Sequence, residues 1–125
     1  MITNVRSLEP RYPPGLAVIS EPDRLGYWLP RLKRGTLAVD TETTGLRWSN
    51  ERVGGLCLAA GETAVYVTGN ALGNSVEWLA DQVKGHRDLV FHNAKFDLHH
   101  LRSTFGLRVP YPVHDTMIQS FLVDN

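Results

Sequence analysis

The sequence predicts a single α/β domain with a mixed β-sheet flanked by helices. The first observation behind this prediction is a run of three apolar segments, two of which are joined by a short turn at Gly61-Glu62, as in a hairpin or meander. The second is the alternation of helical and strand patterns that follows. The strand segments are 36–43, 54–61 and 63–69, and the later elements are a helix at 74–85, a strand at 88–93 and a helix at 94–106.

The segments before this sheet have weaker signals. Residues 1–15 contain three prolines and little periodicity, so we expect an extended lead-in and assign the domain to 16–125. A short strand is predicted at 16–20. A helix at 21–35 should follow, although Pro30 is expected to kink or shorten it.

The C-terminal part of the chain is predicted to be helical with one extended interruption. The helix at 94–106 is expected to turn four apolar side chains largely inward, namely Phe96, Leu98, Leu101 and Phe105. Residues 107–115 should be extended. A last helix at 116–124 should begin after Asp115, whose side chain is expected to cap it.

Composition limits the class of protein. The chain has 125 residues, of which 42% are hydrophobic and 21% charged, as in ordinary globular domains. Its 13 basic and 13 acidic residues cancel, so net charge neither indicates nor excludes binding to nucleic acid. The single cysteine, Cys57, excludes an internal disulfide, and the N-terminus lacks the apolar core of a signal peptide. We therefore expect a cytoplasmic protein with no membrane partner.

Two carboxylates follow the apolar part of the strand at 36–43. Asp40 and Glu42 are two residues apart, so both side chains should leave the same face of the strand. Carboxylates in such an arrangement are suited to Mg²⁺ or Mn²⁺. Taken alone, the pair is also typical of a solvated strand end.

A second polar pair lies at the junction of a strand and a helix. Asn93 and Asp97 are four residues apart and should share a helical face. Each has a structural alternative, because Asn93 can cap the helix and Asp97 can interact with its dipole. The two polar pairs follow strands that are expected to be neighbours, and ligand sites in α/β sheets collect at strand ends.

These segments together resemble a known family. The stretches "VDTETTGL", "FHNAKFDLHHL" and "VHDTMIQSFLVDN" are similar to the DEDD superfamily of 3′–5′ exonucleases, and most of all to the proofreading domain of family A DNA polymerases. The resemblance implies a ribonuclease H-like fold. It also implies that Asp40, Glu42 and Asp97 are catalytic ligands of two divalent metal ions, Mg²⁺ or Mn²⁺, which act together on the scissile phosphate.

The resemblance also implies a substrate and residues that contact it. Leu46 resembles the apolar wedge against the terminal base, Thr41 would face the terminal nucleotide, partly through its backbone, and Asn93 resembles a substrate-positioning or helix-positioning residue. The implied substrate is the 3′ end of single-stranded DNA, with RNA as the alternative in a ribonuclease D-like enzyme.

One feature of the family has no clear counterpart. The family carries a fourth carboxylate in a Y-x-x-x-D or H-x-x-x-D motif on a later helix, and the sequence reaches Asn125 without it. Tyr111 and Asp115 have this spacing, but Pro112 lies between them and the segment is predicted to be extended. The domain is therefore expected to be C-terminally incomplete. A non-catalytic fragment that binds nucleic acid, a polymerase domain or a C-terminal partner chain is the remaining alternative.

Overall fold

A six-stranded mixed sheet forms the centre of the computed structural model, which describes residues 14–44, 52–73, 76–109 and 112–124. The strand order is β1-β4-β3-β2-β5-β6. The strands are Leu16–Ile19 (β1), Thr36–Thr43 (β2), Val53–Ala60 (β3), Thr63–Thr68 (β4), Asp88–Phe91 (β5) and His114–Asp115 (β6). The predicted α/β class with a mixed sheet is confirmed.

Strand pairing follows the predicted meander. β2, β3 and β4 are antiparallel neighbours, and β3 turns into β4 at Gly61 and Glu62. The two outer pairs are parallel, with β1 beside β4 and β6 beside β5. β5 also runs parallel to β2, where Val90 lies opposite Ala38. The carboxyl ends of β2 and β5 therefore meet at one edge of the sheet, as the sequence predicted.

The helices differ more from the predictions. They are Leu25–Trp28 (α1), Gly69–Leu72 (α2), Val76–Gly85 (α3), Ala94–Phe105 (α4) and Thr116–Asp124 (α5). The helix predicted at 21–35 is shorter, at 22–31, and irregular, because α1 is a single turn between two 3₁₀ segments, and the expected shortening at Pro30 is confirmed. Pro22 and Pro30 each lie in one of these segments, and a proline has no N–H for a helical hydrogen bond. The short α2 was not predicted. No helix in the described ranges is long and apolar enough to cross a membrane.

The sheet buries one face and leaves the other open. In β2, Leu37, Val39 and Thr41 are buried, whereas Ala38, Asp40 and Glu42 are exposed, as the two-residue period of a strand requires. The buried side of the sheet packs against α2 and α4, and Leu79 and Val83 of α3 belong to the same core. The opposite side is called the open face below. It carries Leu16, Ala38, Asp40, Glu42, Cys57, Ala59, Ala64, Tyr66 and Val90.

Helix α4 packs against the core partly as predicted, with Leu101 buried and with Leu98 and Phe105 in contact with the core. Its buried residues are Ala94, Asp97, His100 and Leu101, whereas Phe96, Leu98 and Phe105 are only partly buried. Two polar side chains therefore point inward. His100 satisfies one ring nitrogen, because its Nδ1 lies 2.9 Å from the carbonyl oxygen of Phe96.

Asp115 joins the starts of two helices. Its carboxylate accepts hydrogen bonds from the backbone N–H of Asn93 (3.0 Å) and Ala94 (2.8 Å) at the start of α4, and from Met117 (3.0 Å) in α5. The prediction that Asp115 caps α5 is confirmed, and the cap of α4 is an addition to it. The predicted side-chain cap by Asn93 is not formed. Asn93 instead has a left-handed backbone with φ of 69°, which turns its N–H toward Asp115.

Replacing Asp115 with asparagine should destabilise the fold in a pH-dependent way. Burial raises the pKa of Asp115, but the N–H donors of Ala94, Asn93 and Met117 outweigh it and hold the pKa below its ordinary value. A lowered pKa contributes stability above the pKa of the unfolded state, and the contribution disappears as pH falls through the folded pKa. In urea unfolding followed by circular dichroism, Asp115→Asn should be less stable than wild type at pH 7. The gap should shrink below about pH 4.

The matched control is Asp23→Asn, because Asp23 is exposed and lies in the 3₁₀ segment before α1. It should unfold like wild type at both pH values. Equal stability of Asp115→Asn and wild type at pH 7 would contradict the assigned role of Asp115.

Candidate active site: an acidic edge between β2 and α4

Asp40 and Glu42 project together from the open face. Both are exposed residues of β2, and neither side chain has a hydrogen-bond or ion-pair partner among the described residues. The sequence prediction that the two share one face is confirmed. Two adjacent carboxylates without a cationic side chain between them repel each other, so this position favours the binding of a cation.

The open face is acidic at Asp40 and Glu42 and becomes apolar in the neighbouring rows of residues. Cys57 lies directly across from Asp40 on β3, and Tyr66 lies across from Cys57 on β4. The next row on the open face is apolar and contains Leu16, Ala64, Ala59, Ala38 and Val90. A trough of about 460 Å³ extends over these residues from Leu16 to Thr116. The carboxylates thus lie beside a concave apolar surface.

Asp97 approaches β2 from the other side. It lies in the first turn of α4 and is only 2% exposed. The hydroxyl of Thr41 donates a hydrogen bond to Oδ1 of Asp97. Oδ2 of Asp97 is buried and has no hydrogen-bond partner in the described part of the chain. Asp97 is therefore hydrogen-bonded to Thr41, which lies between Asp40 and Glu42, and its Oδ2 has no partner among the described residues.

Burial and the nearby acidic pair shift the pKa values of two neighbouring groups. Burial raises the pKa of Asp97 to about 6, the hydroxyl of Thr41 works against this rise, and the charge of Asp40 adds to it. Burial, Asp40 and Glu42 also raise the pKa of the Cys57 thiol. Both shifts mean that further negative charge is unfavourable here, and a bound cation would reverse this effect.

The donor chemistry fits a hard divalent cation, and the geometry fits it in part. All three side chains offer carboxylate oxygens, which suit Mg²⁺ and Mn²⁺, and the unpartnered Oδ2 of Asp97 is an acceptor without a donor. Within the described ranges, however, no group of three or more His, Cys, Asp or Glu residues surrounds one point. Joint ligation by Asp40, Glu42 and Asp97 stays a prediction.

The predicted substrate contacts have mixed outcomes. The side chain of Thr41 is buried and faces Asp97, so it does not point toward a nucleotide beside Asp40. A contact through its backbone stays a prediction. Asn93 is half-buried at the start of α4, and its role toward substrate stays a prediction. Leu46 and Tyr111 lie outside the described residues.

Sequence reasoning missed three features of the site. It did not place Cys57 beside Asp40, it did not make Tyr66 part of the open face, and it did not link Thr41 to Asp97. The turn at Gly61 and Glu62 could have paired Cys57 with Tyr66, since register in a hairpin follows from the turn. The sequence contains no comparable signal for the contact between Thr41 and Asp97.

Asparagine at position 97 should stabilise the metal-free protein above pH 6. Because folding raises the pKa of Asp97 above its ordinary value of 3.8 to about 6, ionisation of Asp97 costs stability as pH rises between these values. Asparagine has no charge, yet its carbonyl oxygen can still accept the Thr41 hydrogen bond. In EDTA, Asp97→Asn should gain about 1–2 kcal/mol over wild type between pH 4 and pH 7, after allowance for solvent screening.

Thermal or urea unfolding at both pH values measures this gain. Asp81→Asn, which changes an exposed acid on α3, is the control and should show no such pH-dependent gain. A gain of Asp97→Asn that is the same at pH 4 and pH 7 would contradict the burial of an ionisable Asp97.

Two phage proteins are similar in sequence to this chain. DNA polymerase DpoZ of Acinetobacter phage SH-Ab 15497 is 37% identical over 92 residues, which are 70% of this chain and 14% of the polymerase. DNA polymerase DpoZ of Salmonella phage PMBT28 is 42% identical over 77 residues, which are 58% of this chain and 12% of the polymerase. The chain thus spans about one seventh of these relatives or less.

Solved structures share the fold. Brucella melitensis NrnC with bound Mg²⁺ is 28% identical and has a TM-score of 0.68, and the match covers 87% of this chain and 52% of that one. RNase D of Escherichia coli is 23% identical with a TM-score of 0.65, and the match covers 82% of this chain and 28% of that one. These likenesses confirm the predicted ribonuclease H-like fold.

The family itself is identified by a match that covers most of the chain. Residues 16–125 match the 3′–5′ exonuclease family of the DNA polymerase A type. The match includes both strand-end motifs that the sequence singled out, with Asp40 and Glu42 on β2 and Asp97 on α4. This chain therefore belongs to the 3′–5′ exonuclease family.

Proposed function

We propose that this chain acts as the proofreading part of a DNA polymerase and removes nucleotides from the 3′ end of single-stranded DNA in the cytoplasm. The observation that carries the proposal is the pair of exposed carboxylates, Asp40 and Glu42, on the strand to which the buried Asp97 is hydrogen-bonded. The likeness to two phage DNA polymerases supports DNA as the substrate and a polymerase domain as the partner.

The proposed site holds two divalent metal ions, Mg²⁺ or Mn²⁺. Asp40 and Glu42 would be direct ligands, and the free Oδ2 of Asp97 would complete the set directly or through water. When bound, such ions neutralise charge on the scissile phosphate and lower the pKa of a bound water. The protein contributes the spacing of its acceptors on β2 and the apolar trough beside them.

Substrate contacts are proposed at three further positions. Leu46 follows β2 by three residues and would pack against the terminal base. The backbone of Thr41 would face the terminal nucleotide, and Asn93 would position either the substrate or the start of α4. The first two positions belong to one continuous segment with Asp40 and Glu42, which supports a single binding region along this edge.

An RNA substrate is the first alternative, because the fold is also that of an exoribonuclease, RNase D. Among the site residues, Asp40, Glu42 and Asp97 would bind the phosphate and metals of either nucleic acid. Discrimination depends on contacts to the 2′-OH, so a direct comparison of DNA and RNA oligonucleotides of one sequence separates the two alternatives.

A partner-dependent fragment is the second alternative, and exposed apolar side chains on β1 and α5 favour it. Leu16 and Val18 at the edge of the sheet are 40% and 42% exposed. Helix α5 carries four further exposed apolar residues, which are Ile118, Phe121, Leu122 and Val123. Exposed apolar surface of this kind is typical of a binding site for another protein segment. That segment, from a polymerase domain or a C-terminal partner chain, would also be the source of a fourth carboxylate.

The exonuclease proposal is tested with a 5′-labelled single-stranded DNA oligonucleotide. Wild type should shorten it stepwise from the 3′ end with Mn²⁺ or Mg²⁺ and not in EDTA. Asp40→Asn should abolish shortening, because it removes one charge from the metal-binding pair without changing side-chain size. Asp88→Asn, which alters a carboxylate at the other end of β5, is the control and should keep activity. Preferential shortening of the matched RNA would support the ribonuclease alternative, whereas activity of Asp40→Asn equal to wild type would sink the proposed site.

The partner alternative predicts association through α5. Wild type should bind the apolar dye ANS, whereas the double variant Phe121→Ser, Leu122→Ser should bind much less of it. Its unfolding midpoint should not change, because both side chains are already exposed, at 66% and 75%. A monomeric wild type that does not bind the dye ANS would contradict an exposed docking surface.

A further inference from the structure

We infer that Thr41 is a positioning residue that holds Asp97 in place for metal binding, an inference that rests on the proposed function. Thr41 is 6% exposed and Asp97 is 2% exposed. Their side chains meet through a buried hydrogen bond between residues 56 positions apart in sequence. This bond links the central strand β2 to the first turn of α4.

The hydrogen bond selects which oxygen of Asp97 remains available. Thr41 occupies Oδ1, and Oδ2 has no partner in the described part of the chain although it is buried. A β-branched threonine in a strand has few χ1 states, so its hydroxyl is a fixed donor. The Asp97 carboxylate is thereby held with Oδ1 on Thr41 and with Oδ2 available.

The hydrogen bond between Thr41 and Asp97 affects the acidic pair because of where Thr41 lies in the sequence. Thr41 lies between Asp40 and Glu42, and its side chain points to the opposite face. One rigid strand segment therefore carries two proposed ligands on the open face and the donor for the third on the buried face. Thr41 thus sets the spacing between Asp97 and the two exposed carboxylates.

Three variants test this assignment through Mn²⁺ affinity, measured by electron paramagnetic resonance of the free ion. Thr41→Val removes the hydroxyl at nearly constant volume and should weaken Mn²⁺ binding by about 10–100-fold, as expected for loss of a residue that orients a metal ligand. Thr41→Ser keeps the hydroxyl and should restore most of the affinity. Thr68→Val is the matched control, because the buried hydroxyl of Thr68 on β4 has no hydrogen-bond partner among the described residues, and it should bind Mn²⁺ like wild type.

The outcomes separate this inference from the proposed function. Weaker Mn²⁺ binding by Thr41→Val, with wild-type binding by Thr41→Ser and Thr68→Val, supports the inference even if no protein shortens DNA, in which case the exonuclease proposal alone fails. Unchanged Mn²⁺ binding by Thr41→Val, equal weakening by Thr68→Val, or no Mn²⁺ binding by wild type would each overturn it. If Thr41→Val does not fold, Thr41→Cys, which has a weaker donor of similar size, takes its place and should also weaken binding.

Discussion

The structure depends on the alternation of side chains along β2. This strand lies between β3 and β5 in the sheet, so its buried face must fit the core while its other face meets solvent. Leu37 and Val39 pack into the core on the buried face, and Asp40 and Glu42 project into solvent from the other face. A shift of one residue in register would bury both carboxylates and expose the apolar pair. The core and the acidic pair are therefore specified by the same constraint.

The second carboxylate-bearing element is attached to β2 through hydrogen bonds rather than by packing alone. β5 runs parallel to β2 and leads into α4, which brings Asp97 to the same edge. Asp115 then holds the start of α4 through two backbone N–H groups, and Thr41 holds Asp97 itself. Because each of these contacts joins residues distant in sequence, the acidic edge exists only when the sheet is assembled.

The sequence predicted those parts of the molecule that local rules control. The period of two on β2 placed Asp40 and Glu42 on one face, and the turn at Gly61-Glu62 gave the antiparallel meander. Prediction failed where tertiary contacts override local pattern. In α4 the apolar periodicity favoured Phe96 inward, yet Phe96 is only half-buried and the polar Asp97 and His100 are buried.

Contacts between distant parts of the chain also limited what the sequence could predict about the candidate site. The likeness of "DTETTGL" and "NAKFD" to a nuclease family identified the acidic residues, and the family match over 16–125 agrees with it. Neither likeness nor periodicity could show that Thr41 turns away from the open face to bind Asp97, since that depends on how closely α4 approaches β2. The helix predicted at 21–35 is shortened for a simpler reason, because Pro30 lies in its last turn and has no N–H for a helical hydrogen bond.

The measurement that tests this account most directly is a crystal structure of the chain grown with Mn²⁺, with anomalous diffraction used to locate the metal. The account predicts an anomalous peak beside Asp40 and Glu42, with Oδ2 of Asp97 bound to the metal directly or through water. Strong binding of Mn²⁺ only at other positions, or an ordered acidic edge with no anomalous peak at saturating Mn²⁺, would contradict it.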